Sequence, residues 1–116
     1  MSSCLTYEVY MITEADLESV ITDNKLNKEL GDSLEKLLRN SDFKNVVITG
    51  YLREEAIRLV HLLADPNQDK VKLQSQLDSI SHFKLYLDSV FSNSEMAKRT
   101  IEETEEQLLS IRGQEV

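Results

Sequence analysis

The sequence predicts an all-α fold, a helical bundle of four to five helices, and three observations carry that expectation. Three glycines and one proline among 116 residues are too few for a turn-rich β protein. Apolar residues recur at three- and four-residue steps over most of residues 13–112, the period of a buried helical face. Between those stretches stand short polar clusters with helix-capping and helix-stopping chemistry. A chain of this length is expected to be a single domain that buries roughly 65% of its unfolded surface without metal or disulfide staples. It reads as an N-terminal arm (1–12), a helical core (13–93) and an acidic C-terminal helix (94–112).

The arm comes first. In residues 5–11 the apolar side chains alternate at Leu5, Tyr7, Val9 and Met11, with β-branched and aromatic types frequent, which favours an extended strand. A lone strand has no partner in a helical chain, so the segment reads either as a strap across the helices or as an arm that adds to a partner. Thr13-Glu14-Ala15-Asp16 then opens a helix, with Thr13 as cap and two acids at the positive end of its dipole. Leu17, Val20 and Ile21 form its apolar edge, and Asp23-Asn24 is where it is expected to end. A second segment carries Leu26, Leu30, Leu34, Leu37 and Leu38, with Gly31 as a point of weakness.

Asn40-Ser41 separates that segment from the longest uninterrupted pattern. Residues 42–64 read as an amphipathic helix capped by Ser41 or Asp42 and stopped by Asp65-Pro66, because proline disfavours a helical residue before it. Its expected buried face is Val46, Val47, Leu52, Ala56, Leu59, Val60 and Leu63. The next helix, about 68–92, carries the stripe Leu73, Leu77, Ile80, Leu87 and Phe91, widened by Phe83 and Val90. Two helices of equal length joined by a tight polar turn are expected to form a long antiparallel αα-hairpin. Ser92-Asn93-Ser94 reads as a stop followed by a new cap. The last helix follows it, with the seam Ala97, Ile101, Thr104, Leu108 and Ile111, close to a heptad and made for packing along one other helix, either the hairpin or a second copy.

Charge narrows the partners. The formal net charge is −8, and a surface of that sign repels phosphate backbones, so direct nucleic-acid binding is not expected. Cys4 is the only cysteine, which rules out a disulfide within the chain. No apolar run has the ~18–20 residues of a membrane span and no signal peptide opens the sequence, so a soluble, non-secreted protein is expected.

The residues offer little catalytic chemistry. There is no glycine-rich phosphate loop, no H-E-x-x-H and no nucleophile elbow. His61, His82 and Cys4 are not at ligand spacing, and a structural zinc normally takes four such ligands, so no metal or cofactor is expected. Each histidine has a carboxylate four residues away, Asp65 and Asp78, and reads as a surface residue. Glu54 and Glu55 point ~100° apart on a helix and share no site; Glu54 with Arg58 reads as an i, i+4 surface pair. Gly50-Tyr51 is expected to mark the close approach of another helix. Glu102, Glu103, Glu105 and Glu106 are four acids within five residues, near the helix end that favours positive charge. They read as a solvated face or as a docking surface for a basic partner.

One resemblance adds to this reading. Asp42-Phe43, Gly50-Tyr51-Leu52, Glu55-Ala56, Arg58-Leu59 and the Ala64-Asp65-Pro66 stop resemble a group of small acidic helical proteins of tailed bacteriophages and prophages. The likeness continues in Leu77, Ile80, Phe83, Tyr86 and Leu87, and in the opening Ile12-Thr13-Glu14-Ala15-Asp16-Leu17. It covers about two thirds of the chain and rests on packing and capping residues. The resemblance implies a protein encoded among virion genes, non-enzymatic, and found in the virion or the cytoplasm of the host bacterium. It carries over no catalytic residue. The first expectation is therefore a structural, assembly or accessory component of the particle, a homo-oligomer or a binder of other phage proteins. The second is an acidic inhibitor or nucleic-acid mimic that occupies a host protein. The candidate contact residues are Leu5, Tyr7, Val9 and Met11 of the arm, the seam Ala97, Ile101, Leu108 and Ile111, and the four glutamates.

Overall fold

A computed structural model of the chain describes residues 12–114, and every described element is helical. The arm, with Leu5, Tyr7, Val9, Met11 and Cys4, lies outside the described residues. Three helices are present among the described residues, where four to five were expected. They are α1 (Glu14–Arg39), α2 (built from Ser41–Phe43, Lys44–Glu55 and Ala56–Leu62) and α3 (Lys70–Gln114). None is long and apolar enough to cross a membrane. The described residues divide into two compact units: 12–30 with 93–114, and Gly31–Ser92.

α1 begins as read. The Thr13 hydroxyl accepts the Asp16 N–H at 3.2 Å, and the Asp16 carboxylate accepts the Thr13 N–H at 3.0 Å, a reciprocal capping box. The expected end at Asp23-Asn24 is not there. Asn24 turns its amide back onto the Val20 carbonyl at 2.8 Å, and Thr22 turns its hydroxyl onto Glu18 at 3.0 Å. Such i−4 bonds satisfy the polar side chains inside a continuing helix. Gly31 does not break it either. The interruption comes at Asn40, whose extended backbone ends α1 and whose side-chain oxygen accepts the Phe43 N–H at 2.9 Å. The cap of α2 is thus Asn40, one residue before the expected Ser41 or Asp42.

α2 departs from ordinary helix geometry. Residues Lys44–Glu55 form a π-helix, in which backbone bonds skip five residues instead of four. The half-buried apolar positions here are Phe43, Val47, Ile48, Leu52 and Ala56. Val46, on the face expected to be buried, is 70% exposed, and Val60 is also exposed. Gly50 is close to a backbone, as expected, but not to another helix. A β-carbon added there would stand 2.9 Å from the Asn45 carbonyl oxygen of α2 itself, one π-turn back.

In the Gly31–Ser92 unit the expected hairpin is present. Leu59, Leu73 and Ile80 form its core, with Leu52, Ala56, Leu62, Leu63 and Leu77 packed against them. The Tyr51 and Phe83 rings meet edge to face at 6.0 Å and 75°, so the helices run antiparallel. At the turn, the Asp65 carboxylate accepts the Asn67 N–H at 2.9 Å. Asp69 then caps α3 by accepting the Val71 and Lys72 N–H groups at 3.0 and 3.2 Å.

α3 runs 45 residues without the expected break at Ser92-Asn93-Ser94. Serine and asparagine are only mildly poor helix formers, and packing overrides that preference. In the other unit Ser94, Ala97, Ile101, Thr104 and Leu108 are buried at alternating three- and four-residue steps. Arg112 reaches Glu14 at 3.7 Å and Glu18 at 3.4 Å, which sets the end of α3 beside the start of α1 and makes them antiparallel. Thr104 satisfies its hydroxyl on the Thr100 carbonyl at 2.6 Å. Ser94, only 2% exposed, leaves its hydroxyl without a partner among the described residues. Burying an unpaired hydroxyl costs about 1–3 kcal/mol. Ser94→Ala is therefore expected to stabilise the chain by about 1 kcal/mol, read as a higher urea midpoint at unchanged slope; a lower midpoint would mean that the hydroxyl has a partner.

Candidate functional site

Within the Gly31–Ser92 unit all three helices contribute to one open groove of about 420 Å³. Leu34 and Leu38 of α1, Ile48 and Leu52 of α2, and Leu87 and Phe91 of α3 form its apolar lining. Its polar lining is Lys84, Asp88 and Ser92, with the Lys84 ammonium 2.8 Å from the Asp88 carboxylate. The groove follows from the helix periods. Ile48 and Leu52, one helical turn apart, both turn inward, and the break at Asn40 ends α1 just after Leu38. Chemically such a lining holds an apolar side chain or a hydrocarbon and positions no reacting groups.

The second feature is an outward row on α1. The five leucines expected on one side spread over an arc of about 120°. Leu34 is buried and Leu38 half-buried, whereas Leu26, Leu30 and Leu37 are 66%, 41% and 47% exposed. These three stand at heptad steps with Ser33 between Leu30 and Leu37.

The candidate contact residues fall into three sets. The arm set lies outside the described residues. The seam is covered within the chain, with Ala97, Ile101 and Leu108 buried and Ile111 half-buried. Its expected partner was the hairpin or a second copy; the structure instead sets this part of α3 beside α1, with Arg112 at Glu14 and Glu18 and Lys28 beside Ile101. The four glutamates are all exposed. Glu102 and Glu105, however, line a pocket with Lys28, Lys98 and Ile101, so only Glu103 and Glu106 lie away from those lysines.

The pair expected between Glu54 and Arg58 forms differently. Arg58 forks onto both carboxylate oxygens of Glu55, with its Nε 3.0 Å from Oε2, while Glu54 lies 3.8 Å from Arg53. A bidentate guanidinium–carboxylate bond is the stronger alternative. The hydrogen bond from Arg58 holds the Glu55 carboxyl below the usual carboxylate range, and Glu55 raises Arg58 in turn. Arg58 is exposed and Glu55 half-buried, and the pair has the character of a surface clasp. His61 and His82 are both exposed.

The apolar groove residues were individually in the predicted stripes except Ile48, which stands four residues before Leu52 and so shares its face on an α-helical period too. Their convergence had no sequence signal, because it depends on where α1 stops and on how three helices pack.

The fold and the groove define a class: an all-helical protein with an apolar groove and an outward apolar row. Comparison with protein-family models, with curated proteins and with solved structures gives no match.

Proposed function

We propose that the chain is a non-enzymatic protein that works by contact with other proteins, as a structural, assembly or accessory component of a tailed-phage particle. The observation that supports contact as the activity is the open apolar groove within the Gly31–Ser92 unit, lined by Leu34, Leu38, Ile48, Leu52, Leu87 and Phe91. A lining with no reacting groups suits an apolar side chain of a partner better than a substrate. The particle is what the resemblance in residues 42–91 implies. Tagged chain present during particle assembly is expected to co-purify with capsid or tail components. Its absence from both finished particles and assembly intermediates would sink the reading.

A second reading, the acidic inhibitor of a host protein, is favoured by the exposed carboxylates of α3. Replacing Glu102, Glu103, Glu105 and Glu106 together by glutamine is expected to abolish capture of that protein; unchanged capture excludes it. The two lysines beside Glu102 and Glu105 weaken the field such a mimic needs.

A further inference from the structure

The groove of the Gly31–Ser92 unit carries its own complement along one rim. Ser81, Lys84, Asp88 and Phe91 step by three, four and three on α3, so they form one exposed stripe, and the last three line the groove. Phe91 stands 60% exposed at one end of the stripe, and the small Ser81 stands at the other. Between them lie one base and one acid. Tyr51 meets Phe83, so its neighbour Leu52 marks the Ser81 end of the groove. This unit is also nearly neutral. Nine acidic and eight basic side chains fall in residues 31–92, which gives it −1 of the chain's −8.

We infer that the groove is covered by the same unit of a second copy of the chain, α3 against α3 in antiparallel register about a two-fold axis. The proposal rests on the reading of the groove as a contact site. In that register Lys84 meets Asp88 of the second copy, and Phe91 meets its Ser81. The axis repeats both matches with the copies exchanged, the self-complementarity that a closed symmetric dimer requires. Each Phe91 then lies at the Leu52 end of the other copy's groove, a large apolar side chain against a small one. The pair within one helix does not compete. An ammonium has three donors and a carboxylate two oxygens, so Lys84 and Asp88 keep their 2.8 Å bond while bonding across the axis. A parallel pairing in register sets Lys84 against Lys84 and Asp88 against Asp88, which repel. A unit so close to neutral meets its own copy with little repulsion.

Sedimentation equilibrium of the full chain tests this. The wild-type chain is expected to sediment as a dimer, and Phe91→Gln as a monomer with unchanged helical circular dichroism, since Phe91 is largely exposed. Lys84→Asp and Asp88→Lys each set like charges across the axis twice, and each is expected to raise the dissociation constant about tenfold or more. Mixed with each other, these two variants regain both matches and are expected to pair as tightly as the wild type. A monomeric wild type overturns the inference and leaves the groove to a different protein. A dimer indifferent to Phe91→Gln overturns it too, as does a mixture no tighter than either charge variant alone. Mass in solution is read without any phage component. A dimer that never enters a particle would therefore refute the proposed function and leave this inference standing, and a particle-bound monomer would do the reverse.

Discussion

Replacing Leu59 with alanine is expected to cost about 2–5 kcal/mol of stability, the range for truncating a large aliphatic side chain in a core that cannot collapse around the gap. Leu59 is 1% exposed and is the α2 member of the core cluster whose other members, Leu73 and Ile80, lie on α3. Domains of this size have only about 5–15 kcal/mol in total, so the loss is a large share. Its neighbour Val60 supplies the control. It is exposed, and Val60→Ala is expected to stay within about 0.5 kcal/mol. Urea midpoints at constant slope separate the two variants. Equal effects would mean that the inward line of α2 has been placed wrongly.

Asn93→Pro is the second large effect, and it opposes the two readings of residues 92–94 directly. In a continuous α3, proline at 93 removes the N–H that bonds the Ser89 carbonyl and drives its ring against that carbonyl, at about 3 kcal/mol or more. Were α3 to stop there, with Ser94 capping a new helix, the same proline would precede the cap and be tolerated. Asn93 is exposed, so the substitution removes no packing and the backbone alone is tested. A loss below about 1 kcal/mol would restore the break. Helical circular dichroism measured alongside reports whether the helix is lost on one side of residue 93.

Much of the helical character was legible because it follows from local periodicity and capping. Thr13 with Asp16, the Asp65-Pro66 turn, the stripe Leu73, Leu77, Ile80 and the seam Ala97, Ile101, Thr104, Leu108 all read correctly from spacing. The misreadings share a cause. Asn24, Gly31 and Asn93-Ser94 are residues that favour helix ends when nothing else decides, and here packing or i−4 hydrogen bonds decide otherwise. Their preferences amount to a few tenths of a kcal/mol for serine and asparagine, up to about 1 for glycine, less than a seam of buried side chains contributes. Val46 failed for a different reason, since six residues before Leu52 it lies about 120° around the helix from the line of Ile48, Leu52, Ala56 and Leu59. The groove was illegible because it depends on three helix ends and phases at once. Of the outward leucines, Leu26, Leu30 and Leu37 were read as apolar, but nothing in the sequence separates them from Leu34 and Leu38 until the burial of α1 is known.

The π stretch of α2 also bears on how this sequence can change length. Twelve residues wound at roughly 4.4 per turn, as i→i+5 bonding requires, make under three turns; an α-helix would make more than three from the same chain. Lys44–Glu55 therefore holds about two residues more than an α-helix of the same number of turns would need. A one-residue deletion inside it shortens a wide coil toward ordinary winding while Leu59 and its neighbours keep their places against α3. The same deletion in α3 would rotate every seam position beyond it by about 100°. A one-residue deletion is accordingly expected to cost less stability in Lys44–Glu55 than beyond residue 94 of α3, a difference that urea midpoints of the two variants would show.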